Sequence, residues 1–79
     1  MSNLEKYNQV FKETFNVEDS QLAGLTYQSV NSWDSIGHMA MIATLEEAFD
    51  IMMETDDIID FSSYEKGMEI LTKNYNVQF

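Results

Sequence analysis

The chain has 79 residues with no Cys and no Pro, so it is expected to form one small domain over residues 1–79 that no disulfide or thiolate metal cluster can staple. Its 44% hydrophobic content places it with folded domains rather than disordered chains. Fourteen acids against four Lys give a net charge of -10, which argues against nucleic acid bound through its phosphates and for partners with basic surfaces.

The start Met1-Ser2-Asn3-Leu4 is not a basic and apolar leader, and the longest uncharged apolar-rich run, Gly37 to Leu45, is far too short to cross a bilayer. A cytoplasmic monomer without a membrane span is expected. Ser2-Asn3-Leu4-Glu5 has the spacing of a capping box, in which a hydroxyl and a carboxylate three residues apart satisfy free N–H groups of a first helical turn. Leu4, Tyr7, Val10, Phe11 and Phe15 then recur at helical intervals, so a first helix runs to about Phe15. Between Asn16 and Trp33 the periodicity fades and Gly24 breaks it, leaving Leu22, Leu25, Val30 and Trp33 as scattered apolar anchors. A connection this long is functional or disordered, and the anchors favour a loop tied onto the core.

A second helix is predicted from Ser35 to Phe49 or Asp50, with Met41, Ile42, Leu45 and Phe49 as its core stripe. Its other side presents Ile36, Met39, Ala40, Ala43, Glu46 and Glu47, a mixed apolar and acidic surface suited to docking a protein with both greasy and basic contacts. Gly37 costs this helix about 1 kcal/mol against Ala; either it is a tolerated first-turn glycine or its missing Cβ leaves room for an enzyme at Ser35. Thr55 to Phe61 suits one or two turns with Ile58, Ile59 and Phe61 inward. Ser62-Ser63-Tyr64-Glu65 has the pattern of a second capping box, after which Tyr64, Met68, Ile70 and Leu71 mark a last helix ending near Asn74. The tail from Tyr75 to Phe79 is expected to fray. The fold class is therefore all-α: a small four-helix bundle of three main helices and one short one, with a long loop between the first two.

The stretch from Trp33 to Met39 stands at the junction of loop and second helix. Asp34 and Ser35 there are sensible caps, since a short side-chain oxygen accepts from first-turn N–H groups and a carboxylate meets the positive end of the helix dipole. The same dipole and N–H groups would favour a phosphate attached to the Ser35 hydroxyl, which makes Ser35 a candidate modification site. From Asp34 onward, Asp34-Ser35-Ile36, then Leu45-Glu46-Glu47 and Phe49, the chain resembles the acyl carrier protein family around its phosphopantetheine-attachment serine. The resemblance extends to the order of helices over the whole length. Ile36 stands where the family usually has Leu, Gly37-His38 where it has an acidic and hydroxyl pair, and Glu54 where many members have Pro.

That resemblance implies an acyl carrier rather than an enzyme. Ser35 would take 4'-phosphopantetheine covalently from coenzyme A by the action of a phosphopantetheinyl transferase. The arm's thiol would then carry acyl groups as thioesters in fatty acid or polyketide synthesis, presented to loading and transferring enzymes with basic docking patches. It also implies a recognition element of Asp34, Ile36, Glu46 and Glu47, to which the outer face of the helix adds Met39, Ala40 and Ala43, and an acyl pocket bordered by Met41, Ile42, Leu45 and Ile59. Two other readings are a peptidyl carrier, whose usual Gly-Gly before the serine motif is missing here, and a small acidic interaction protein with Ser35 unmodified.

Other chemistry is weaker. Asp34, Ser35 and His38 are the residue types of a hydrolase triad, yet acid and base crowd one turn and no Gly-x-Ser-x-Gly elbow is present. His38 is the sole His in a chain without Cys, so no metal site is expected around it; it reads as an exposed helix residue near Asp34. No start position among the acids from Asp50 to Glu65 gives the ligand spacing of an EF-hand loop.

Overall fold

Ser2 starts the first helix: its Oγ accepts from the Glu5 N–H at 3.1 Å while the Glu5 carboxylate accepts from the Ser2 N–H at 3.1 Å. The backbone and side-chain hydrogen bonds from Ser2 hold the Glu5 carboxyl below its ordinary range. The computed structural model describes residues 1–79 and contains four helices, α1 (Asn3–Phe15), α2 (Ser35–Phe49), α3 (Thr55–Asp60) and α4 (Tyr64–Tyr75). No strand forms; Thr26 and Ser63 make an isolated antiparallel bridge. The predicted four-helix bundle with its long loop after the first helix is the observed architecture.

Seventeen buried hydrophobic residues form one cluster, drawn from all the long helices and from the loop. Phe11 is its hub, with the rings of Tyr7, Phe15, Trp33, Phe61 and Tyr64 at centroid distances of 4.9 to 6.2 Å. Tyr7 is fully buried and donates its hydroxyl to the Tyr64 carbonyl at 2.7 Å, so α1 and α4 meet through a satisfied polar contact inside an aromatic core. Burial pushes the Tyr7 hydroxyl far above the ordinary tyrosine range, with Tyr64 and Glu65 adding to it. Gly67 lets the backbone of α4 lie against this pair, since a Cβ there would collide with the Phe61 ring and the Tyr7 hydroxyl.

The loop from residue 16 to 34 is more ordered than its fading periodicity predicts. It holds a 3₁₀ turn at Asp19–Gln21 and seats Val17, Leu22, Leu25 and Trp33 in the core. Its middle is stitched to the start of α4: Tyr27 N–H donates to the Ser62 carbonyl and Tyr64 N–H to the Leu25 carbonyl, each at 2.9 Å. Glu65, expected in a capping box, instead accepts from the Gly24 N–H at 2.9 Å, and the cap of α4 is Ser63, whose Oγ accepts from Lys66 N–H. The carboxylate is used across the fold because the loop offers a free N–H where the helix end already has Ser63.

Three further expectations are corrected. Leu4 is 41% exposed, so the buried face of α1 begins at Tyr7. Ile59 points outward and Ile58 is only half-buried, because α3 has just six residues and turns a single narrow edge to the core. The tail does not fray: Val77 is buried, Asn3 donates to the Gln78 carbonyl at 2.9 Å, and Phe79 meets the rings of Tyr7 and Phe49. No helix is long and apolar enough to cross a membrane.

Candidate modification site and adjoining cavity

Asp34 caps α2 from the position predicted for it. Its Oδ1 accepts from the Gly37 N–H at 2.8 Å and its backbone carbonyl accepts from the His38 N–H at 2.7 Å. Ser35 is therefore the first helical residue, exposed, at the positive end of the longest helix. Gly37 has a packing reason rather than an access one: a Cβ there would run into the backbone carbonyl oxygen of Ser32. Ser32 is itself held, donating its hydroxyl to the Phe15 carbonyl at 2.9 Å, so the end of the loop is pressed between the end of α1 and the start of α2.

Trp33, one of the apolar anchors of the loop, holds the approach to Ser35. It is fully buried, stacked on Phe15 with centroids 5.0 Å apart and edge-on to Phe11 at 5.5 Å. Its indole N–H needs an acceptor and finds His38 Nδ1 at 2.9 Å. Because an indole nitrogen can only donate, Nδ1 must present its lone pair and the ring proton sits on Nε2, 2.8 Å from the Ile58 carbonyl to which it donates. His38 is thus a half-buried neutral imidazole bridging loop, α2 and α3, not the exposed residue its position in a first turn predicts. With both ring nitrogens engaged, neither is free to take a proton from Ser35, and the three triad residue types do not form a triad.

Beside Ser35 lies an apolar cavity of about 340 Å³, lined by Tyr27, Ser35, His38, Met39, Ile58, Ile59, Phe61 and Ser62. Of the four pocket candidates, only Ile59 borders it. Met41, Ile42 and Leu45 face the opposite way, closed into the common core at 0 to 1% exposure, because their stripe on α2 packs inward while the cavity opens along the edge of that helix toward α3. Tyr27 and Ser62 reach the cavity through the stitched loop, a non-local placement with no local sequence signal. His38 had one readable signal, a ring acceptor five residues after a Trp that must bury a donor.

The face of α2 away from the core carries Ile36, 81% exposed, and Met39, 52% exposed, with Ala40, Ala43 and Glu47 exposed at helical spacing and Asp34 at its head. Glu46 departs from this set. It is half-buried, and its carboxylate accepts from the Met53 N–H at 2.8 Å, tying the chain after α2 back onto the helix. No group of three or more His, Cys, Asp or Glu side chains is placed to hold a metal ion. Neither a protein-family model, nor a curated protein, nor a solved structure compared with the chain matches it.

Proposed function

We propose that the chain is an acyl carrier protein and that Ser35 is the attachment point of 4'-phosphopantetheine. One observation carries this reading: an exposed serine, capped into place by Asp34 at the head of α2, opens directly onto an apolar cavity of about 340 Å³. A hydroxyl in that position fits such an arm, since its oxygen is open to solvent, the helix dipole favours the phosphate it would carry, and an apolar surface lies within reach of what is attached. Ser35 Oγ would attack the phosphorus that bears the pantetheine half of coenzyme A, forming a P–O bond and breaking the diphosphate link. The adenosine bisphosphate leaves, and the serine proton passes to a base of the transferase. When bound, the arm supplies the thiol that a chain without Cys lacks, and with it a thioester for an acyl group.

The remaining residues then act as address and support. Ile36, Met39, Ala40 and Ala43 offer an apolar ridge, and Asp34 and Glu47 flank it with the negative charge that a basic partner would meet. The chain is in this reading a substrate and a carrier, not an enzyme. Incubation with coenzyme A and a transferase of broad specificity should raise the intact mass by one phosphopantetheine, and Ser35→Ala should take up none. Absence of modification on the unaltered chain would overturn the carrier reading and leave an acidic interaction protein; uptake by Ser35→Ala would move the site elsewhere.

A further inference from the structure

α3 is held in an uneven way. None of its six residues is buried, and its two long edges are secured differently. Toward α4 it is anchored three times: Tyr75 donates its hydroxyl to Asp57 at 2.6 Å, Asn74 donates to the same carboxylate at 2.9 Å, and Glu54 N–H donates to the Tyr75 hydroxyl oxygen at 2.7 Å. Toward α2 a single hydrogen bond joins it, from His38 Nε2 to the Ile58 carbonyl at 2.8 Å. The apolar cavity lies on this second side, with Ile58 and Ile59 as one wall and His38 and Met39 as the other.

We infer that α3 is a lid over this cavity, hinged on α4 through Tyr75 and Asp57 and latched to α2 by His38. The chain on both sides of the lid is fixed, by Met53 N–H on the Glu46 carboxylate before it and by the Ser62 carbonyl accepting from Tyr27 after it, so the motion is a swing of one short helix and not a melting of the domain. Elements with few buried apolar contacts open at low free energy while the core stays closed. The imidazole suits the latch because Trp33, fully buried in the core, holds its other nitrogen and so aims Nε2 at α3. His38 is a positioning residue: it touches no reacting atom and acts by setting the width of the cavity. This role stands whether or not Ser35 carries an arm.

The two ring nitrogens can be mimicked one at a time. In His38→Asn the side-chain oxygen can still accept from Trp33 but nothing reaches Ile58; in His38→Gln the amide N–H can still donate to the Ile58 carbonyl. Because the chain has no Cys, an Ile58→Cys change places one thiol on the covered side of the lid, and its alkylation by neutral iodoacetamide reads opening on unmodified protein. With His38 or His38→Gln the thiol should label slowly, and with His38→Asn at least tenfold faster, beyond any change in the global unfolding constant measured in urea on the same variants. Labelling of His38→Asn that only follows global unfolding, or of His38→Gln as fast as His38→Asn, would overturn the latch. The unaltered protein gives an independent check: its imidazole nitrogen resonances should show the Nε2–H neutral form, and an Nδ1–H form would overturn the proposal without any variant.

Discussion

α3 and α4 are consecutive in the chain and differ in almost everything that fixes a helix. α4 buries Tyr64, Gly67, Ile70 and Leu71 and lies against the aromatic hub of α1, whereas α3 fully buries none of its residues, packs on the core through half-buried Ile58 and is otherwise held by hydrogen bonds at its edges. The candidate site is built from both kinds of part. Trp33 and Phe61 are fully buried and belong to the rigid frame, while exposed Ile59 and Met39 and half-buried Ile58 form the adjustable walls. Nearness to Ser35 therefore does not predict what a substitution costs; membership in the frame does.

The sharpest test sets one helix against the other. Leu71→Ala empties a fully buried site and should cost about 2–5 kcal/mol, whereas Ile59→Ala, at a position 72% exposed, should stay within about 0.5 kcal/mol in the same urea melts. Similar losses at both would show α3 to be part of the frame. Gly67→Ala should come next, at about 1–3 kcal/mol, because the new methyl meets the Phe61 ring and the Tyr7 hydroxyl and α4 must retreat. An unchanged midpoint would mean that the α1 and α4 contact is softer than its packing implies.

A third test separates two adjacent acids. Glu46→Lys removes the acceptor of the Met53 N–H and should cost about 1–3 kcal/mol, while Glu47→Lys, exposed and opposed to the negative end of the α2 dipole, should leave the melt unchanged or slightly higher. If Glu47 belongs to a docking surface, its reversal should also slow transferase modification of Ser35 several-fold at low salt, with added salt closing the gap. Equal melts for the two variants would place Glu46 on the surface with its neighbour.

Alkaline pH should act on the frame and the hinge together. Tyr7, Tyr64 and Tyr75 all have hydroxyls raised above the ordinary range, in each case first by burial. A group whose folded value is raised contributes stability that is complete below its unfolded value and is lost as pH rises toward the folded one. Stability should thus be level up to about pH 10 and fall above it. Tyr7→Phe, less stable at neutral pH for want of the bond to the Tyr64 carbonyl, should show a shallower fall, and parallel pH profiles would count against Tyr7 as its source.

The helices, the capping of α1, the core stripe of Met41, Ile42 and Leu45, and the place of Ser35 at the head of α2 follow from local spacing, because a helix repeats its contacts every three or four residues and writes them into the sequence. The order of the tail is invisible to local spacing because it contacts α1 at the far end of the chain, and so is the role of Glu46, whose partner, the Met53 N–H, exists only once the chain turns back after α2. The cavity wall and the bridging of His38 were decided by tertiary structure alone. Residue 27 meets residue 62, and residue 38 meets residue 58, through hydrogen bonds to backbone groups, which every residue possesses and no side-chain pattern can announce.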